Sequence, residues 1–187
     1  MNTFETVILA LALVFNSWIS YINAGIALSE APLLSKIKYA GIMSVLQFAM
    51  AGAGIWVGYK TGSFEPRINM AISLSILLIL GLKVLLSGIK MSTEEKVFDY
   101  TDNQVTLMAA LVEGISPLSV GIAIGLLSLH PYLHWLLIGG FLFAGIIAGL
   151  VLPIVMGSAS LKFRLGPIGG LLLIAAGIKM IISITGY

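Results

Sequence analysis

The chain has 187 residues, 59% of them hydrophobic and 10% charged, with a mean hydropathy of +1.08. Soluble domains carry roughly 25% charged residues, so a soluble globule is excluded and a polytopic membrane protein is expected. The absence of cysteine excludes a disulfide scaffold or thiolate metal site, and a net charge of +2 gives no reason to expect a nucleic-acid partner.

A helix crosses the hydrocarbon core with about 20 apolar residues, and six runs reach that length: Thr3 to Leu28, Ile37 to Tyr59, Ile68 to Ile89, Gln104 to Leu129, Pro131 to Met156 and Gly166 to Thr185. The first run lacks a basic leader and is longer than a signal-peptide core, so it reads as a span. It carries Asn16, Ser17, Ser20 and Asn23, and the spacing of 16, 20 and 23 puts those three on one helical face. Such residues either line a polar pathway or join helices by hydrogen bonds.

Span two is rich in small residues, which permit close helix approach; Gln47 is its polar exception, as packing or as a ligand oxygen. Span three ends near Lys83, which either snorkels to the interface or serves as a fixed cation. Between spans three and four, Ser92 to Asp102 holds four carboxylates and reads as a solvated linker.

Span four contains Glu113-Gly-Ile-Ser-Pro-Leu-Ser-Val-Gly-Ile-Ala-Ile-Gly125, the polar stretch that demands an explanation. A carboxylate within a span costs several kcal/mol unless the fold compensates it, and is by default a functional candidate. Glu113 and Ser116 are neighbours on one face, Ser119 is close by, and Pro117 withholds a donor from the Glu113 carbonyl, so a kink or break is expected there. A structural ion pair of Glu113 with Lys83, or with Lys179 of span six, is the competing expectation. At the start of span five, His130 and His134 are four apart, a spacing that can hold a transition metal but is weak with two ligands.

With alternating sides, Lys36, Lys38, Lys90, Lys96, Lys162 and Arg164 fall on one face and Lys60 and Arg67 on the other. The positive-inside rule makes the first face cytoplasmic and places both termini outside. Internal similarity supports the count of spans. Gly81-Leu-Lys-Val-Leu-Leu-Ser87 matches Gly177-Ile-Lys-Met-Ile-Ile-Ser183, Ala53-Gly54 matches Ala148-Gly149, and Asn16 to Gly25 matches Ser116 to Gly125 more weakly. Three spans per copy is an odd number, so the copies would be inverted, an arrangement recurrent in secondary transporters. The expected organisation is a first three-helix repeat (1–90), a cytoplasmic linker (91–103) and a second repeat (104–187).

The segments Phe15-Asn-Ser-Trp18, Ser116-Pro-Leu-Ser-Val-Gly-Ile-Ala-Ile-Gly125, Gly81-Leu-Lys-Val-Leu-Leu-Ser-Gly88 and Gly169-Gly-Leu-Leu-Leu-Ile-Ala-Ala-Gly-Ile-Lys179 resemble the MntP-type manganese efflux pumps of the lysine-exporter superfamily. The resemblance covers nearly the whole chain and implies six helices in two inverted halves, in a bacterial inner membrane. It implies an Asp in span one, a Glu in span two and an Asp in span four; the matching positions here hold Asn16, Gln47 and Ser116. Hard divalent cations want several oxygens with carboxylate charge among them, which puts a conventional manganese site in doubt.

The expectation is therefore an all-α secondary transporter exporting a cation or small solute. Its pathway comprises Asn16, Ser20, Asn23, Gln47, Glu113, Ser116 and Ser119, with Glu113 bearing the charge or coupling proton. Glu113, Asn16 and Gln47 are the candidate metal ligands, the metal being cargo rather than cofactor. The alternative is a transport-inactive accessory subunit with Glu113 paired to a lysine. An enzyme is not expected, because no HExxH-type or Ser/His/Asp pattern is legible. Lipid is the expected surrounding; a homodimer or a membrane-protein partner stays open.

Overall fold

The structure, a computed structural model, describes residues 3–62, 65–89, 99–127, 131–156 and 165–185. Among them the chain forms six helices and no strand: α1 Thr3–Ala27, α2 Leu33–Thr61, α3 Pro66–Ile89, α4 Asn103–Leu127, α5 Pro131–Met156 and α6 Leu165–Thr185. Five are long and apolar enough to cross a membrane, and α6 contributes the shorter apolar stretch Ile168–Lys179. Lys90, Lys96, Lys162 and Arg164, which carry most of the orientation argument, lie outside the described residues, as does His130.

Local chemistry fixes several helix ends. Pro32 sits in an extended conformation just before α2, as expected for a residue that fixes its own φ and lacks an N–H. Lys36 donates to the Ser29 carbonyl (2.9 Å) and ties that start to the α1–α2 turn. Before α4, Asp99 Oδ1 accepts from Thr101 N (3.0 Å) and Thr101 Oγ1 (2.5 Å), while Asp102 Oδ1 caps the helix through Gln104 N (2.8 Å). The Thr101 hydroxyl and then its amide hold the Asp99 carboxyl below its usual value.

Contacts along the helices also fix their directions. α1 runs parallel to α5: Thr6 meets His134, Val14 meets Gly145, and Gly25 meets Leu150 and Pro153. α2 runs parallel to α4, with Gly54 against Leu118 and Ile122, and Gly125 against Ile55, Gly58 and Tyr59. α3 and α6 are antiparallel, since Gly81 faces Gly170 and Ile174 while Gly177 faces Leu74. In the α2–α4 seam a Cβ on Gly54 or Gly125 would collide with the neighbouring backbone, so glycine sets the helix separation there.

α1 is largely enclosed by its neighbours. It packs on α5 and α6 and crosses α4, and Phe4 is its only large apolar side chain exposed among the described residues. Leu9 and Leu13 of α1 join Ile124, Ile138 and Leu173 in the core. The other helices turn residues such as Trp56, Ile79, Val112 and Leu136 outward, as a lipid environment permits.

Candidate functional site

α1 and α4 touch over a short crossing, and the contact is polar. Asn16 Nδ2 donates to Ser116 Oγ (3.1 Å). One turn away, Ser17 Oγ and Ser20 Oγ donate to the two oxygens of Glu113 (2.5 and 2.6 Å). Next to them Tyr21 donates to Gln47 Oε1 of α2 (2.8 Å). Residues 16, 17, 20 and 21 form two adjacent i, i+4 columns, so a single face of α1 reaches both α4 and α2.

Glu113 is half-buried and both its oxygens accept a hydroxyl. Bonds to a charged acceptor are among the stronger kind, and they let the carboxylate stay within the bundle without a salt bridge. Among the described residues Glu113 makes no ion pair with either candidate lysine. Lys83 is exposed, and Lys179 lies over the Phe4 ring at 4.7 Å. Phe4 precedes Ser17 by 13 positions, a separation of roughly 20 Å along a helix axis, so Lys179 sits far from the carboxylate.

Other expectations also shift. Pro117 is buried in α4 and the helix continues from Asn103 to Leu127, so of the expected kink or break the break does not occur. Ser119 turns back to the Ile115 carbonyl (2.8 Å), spent on its own helix. Asn23 is half-buried and makes no side-chain bond among the described residues, because it lies beyond the end of the α1–α4 crossing. His134 is buried against Thr6 Oγ1 (2.6 Å), which occupies its Nδ1.

A cavity of about 510 Å³ lies at the N-terminal end of α4, and Ser20 and Glu113 form part of its lining. Tyr39, Met43, Tyr100, Val105 and Met108 add to its wall. Tyr39 and Tyr100 meet edge to face, with centroids 5.4 Å apart at 81°. Burial first, and then the Glu113 charge, pushes the Tyr100 phenol above its ordinary value, so it stays neutral. Among the described residues the Tyr39 hydroxyl and Gln47 Nε2 find no hydrogen-bond partner.

The sequence reading left Ser17 out of the pathway face and did not single out Tyr21, Tyr39 or Tyr100. Tyr39 stands two turns before Gln47 on the same face of α2, a spacing that could have drawn attention to it. The link between Tyr21 and Gln47 depends on helix packing and has no local signal.

As a cation site the cluster offers Glu113 charge, the Ser17, Ser20 and Ser116 hydroxyls and the Asn16 carbonyl. Gln47 Oε1 already accepts from Tyr21. Among the described residues no three His, Cys, Asp or Glu side chains come together, which is poor provision for a dehydrated divalent metal.

Apolar helices of this length, closed around a polar crossing, define a multi-pass membrane protein. Residues 31–181 match the profile of the family Mntp, described as "Putative manganese efflux pump", and the chain belongs to that family. It is 28% identical over 192 residues to the protein of that name, MntP, from Methanothermobacter thermautotrophicus, covering 100% of both chains. The Methylobacillus flagellatus MntP is 28% identical over 180 residues, covering 95% of this chain and 94% of the relative. The Gloeothece citriformis MntP is 23% identical over 187 residues, covering 100% and 98%. No solved structure matches the chain at a significant level.

Proposed function

We propose that this protein is a secondary transporter that exports a cation from the cell, with Glu113 as the charge-bearing group of its pathway. The observation that carries the proposal is the carboxylate itself, held by Ser17 and Ser20 at the α1–α4 crossing and facing a cavity. Its relatives bear the name "Putative manganese efflux pump MntP", so Mn²⁺ is the first cargo to test. Asn16, Gln47 and Ser116 supply neutral groups around the path. Nothing observed favours an accessory subunit or an enzyme.

An inverted repeat (1–90 and 104–187, joined by 91–103) gives this transporter its cycle. Its support is a contact made twice: Gly25 approaches Leu150 and Pro153, and Gly125 approaches Ile55 and Gly58 at matching offsets. The repeat-related residues Asn16 and Ser116 meet each other, as they would on a pseudo-twofold axis. Thr6 and His134, bonded to each other, correspond to Thr106 and Tyr39. At that second end Thr106 donates to the Tyr100 carbonyl (3.1 Å), and Tyr39 lines the cavity with its hydroxyl unpaired. On this reading the first end is held closed and the second, beside the cavity, is the end that opens, as alternating access requires. We place the protein in a bacterial inner membrane with the cavity facing the cytoplasm and both termini outside, on the strength of the basic connectors.

The decisive experiment expresses the chain in cells lacking their manganese exporter and reads tolerance together with flux into proteoliposomes. Wild type is expected to restore tolerance and Glu113→Gln to abolish it. Equal flux in the two would remove Glu113 from the mechanism.

A further inference from the structure

Ser17 has one hydroxyl hydrogen and two acceptors within reach. It donates to Glu113 Oε2 (2.5 Å), and the phenol oxygen of Tyr21, one turn on along α1, also lies within hydrogen-bond reach of it. Tyr21 gives its own hydrogen to Gln47 Oε1 of α2 (2.8 Å). A phenol has a single hydrogen, so the lone pairs of Tyr21 are left for Ser17. Gln47, Tyr21, Ser17 and Glu113 thus form one row that ends on the charge-bearing carboxylate.

Burial closes this row to water. Ser17 is 2% exposed, and Tyr21 and Gln47 are 0% exposed. Ser20, the other donor to Glu113, is half-buried and lines the cavity, where water can take its hydrogen. Ser17 has no such outlet. A buried donor without an acceptor is costly, so the Ser17 hydrogen needs an acceptor from the protein whenever it leaves Glu113, and Tyr21 is the side chain placed to give one.

A cation reverses the order of the two acceptors. Bonds to an ionised acceptor are roughly twice as strong as neutral ones, so Ser17 points at Glu113 while the carboxylate bears its full charge. A cation on Glu113 offsets that charge and repels the hydroxyl hydrogen beside it, which makes the Tyr21 oxygen the better acceptor. With Ser17 turned away, Oε2 can join Oε1 in a two-oxygen hold on the cation. We propose that Tyr21 is a positioning residue of the cargo site: it receives the Ser17 hydrogen when a divalent cation such as Mn²⁺ occupies Glu113. Gln47 then acts through Tyr21, by keeping the phenol in its accepting orientation, and not as a ligand. Only hydroxyl rotations are involved, and no proton leaves its oxygen. The proposal rests on the reading of Glu113 as the charge-bearing group of transport and deepens it.

The test is a pair of double-mutant cycles on Mn²⁺ affinity, titrating the purified full chain in detergent with MnCl₂ and following the paramagnetic resonance signal of the free ion. Tyr21→Phe keeps the ring and is expected to weaken binding about twofold to tenfold, the range of one hydrogen bond. In Ser17→Ala the same change should add less than about twofold, because the hydrogen to be received is gone. Gln47→Leu should weaken binding in the wild-type background and add less than about twofold in Tyr21→Phe. A Tyr21 that only packs would give the same factor with and without Ser17, and a Gln47 that ligates the cation would keep its factor without Tyr21. Either result overturns the proposal, as does wild-type affinity in Tyr21→Phe. A second readout uses the wild type itself: its Mn²⁺-induced infrared difference spectrum should carry a tyrosine C–O band that is lost in Ser17→Ala, and an unchanged spectrum in that variant also overturns the proposal. Glu113→Gln keeps the two readings apart. If it binds Mn²⁺ as wild type does, Glu113 is not the charge-bearing group and both readings fall; loss of binding there, with independent factors in the cycles, sinks only the role of Tyr21.

Discussion

Asn16 of α1 and Ser116 of α4, 100 positions apart in the chain, share a hydrogen bond of 3.1 Å where the two helices cross. They are the positions at which the family resemblance implies acidic residues, so the two neutral side chains meet where two carboxylates would repel. A bonded amide and hydroxyl can hold that crossing closed without a metal. Two carboxylates there, with Glu113 one turn away, would need a cation between them.

Recharging the crossing should therefore change what the protein binds. Asn16→Asp with Ser116→Asp is expected to raise Mn²⁺ affinity at least tenfold, since each added carboxylate supplies a charged oxygen. Without metal the double variant should unfold more easily in detergent, because three carboxylates then share a small space. Thermal unfolding with and without MnCl₂ checks both effects. A variant that melts at the wild-type temperature without metal and gains nothing from it would show that the two positions are not juxtaposed.

Removing the donors to Glu113 leaves its charge in place and takes away its bonds. Hydrogen bonds to a charged group are worth about 1.5–3 kcal/mol, so Ser17→Ala and Ser20→Ala should each reduce flux about tenfold to a hundredfold. The double variant should come close to Glu113→Gln. Flux at the wild-type level in Ser20→Ala would place the working carboxylate elsewhere.

The α2–α4 seam predicts a packing effect with no change of charge. A Cβ at Gly54 or Gly125 would press into the backbone of the facing helix, and the side chain cannot turn away. Overpacking of this kind costs about 1–3 kcal/mol. Gly54→Ala and Gly125→Ala should thus lower the melting temperature in detergent. Gly41→Ala, where nothing lies within 4 Å of the added carbon, should leave it unchanged.

The helices were legible because crossing a bilayer requires length and apolarity, and both are local properties of the sequence. The described ends fall within a few residues of the apolar runs. α2 starts earliest relative to its run, at Leu33, because Pro32 and the Lys36 contact with Ser29 set its start. Asn16, Ser20, Gln47, Glu113 and Ser116 were legible for a related reason: a polar group among hydrocarbon is conspicuous. How these groups pair depends on which helices pack and in what register, and spacing along one helix does not specify that. Ser17 was passed over because 16, 20 and 23 make one stripe, whereas the short crossing of α4 uses 16, 17 and 20 and leaves Asn23 beyond it. Lys179 resembled a partner for Glu113 in sequence, but the antiparallel course of α6 along α1 carries it to Phe4.

Removal of single hydroxyls at the two ends of the bundle should change access to the cavity in ways that depend on the bond each one makes. Thr6 Oγ1 and His134 Nδ1, 2.6 Å apart and buried, hold α1 to α5 at the end away from the cavity. Thr6→Val removes that bond at nearly constant volume, and on the alternating-access reading it favours the state in which the cavity is closed. Because the chain has no cysteine, Ala109→Cys on the cavity wall can report opening through its rate of maleimide labelling. A net hydrogen bond is worth about 0.5–1.5 kcal/mol, so Thr6→Val should slow labelling about twofold to tenfold. Thr106→Val removes a bond made in the open state, to the Tyr100 carbonyl, and by itself should also slow labelling. Tyr39→Phe deletes a hydroxyl that is unpaired in the open state, so labelling should accelerate or stay the same. Slower labelling in Tyr39→Phe, or no change in Thr6→Val together with a lower melting temperature, would mean that the Thr6–His134 contact only fastens two helices and does not govern access to Glu113.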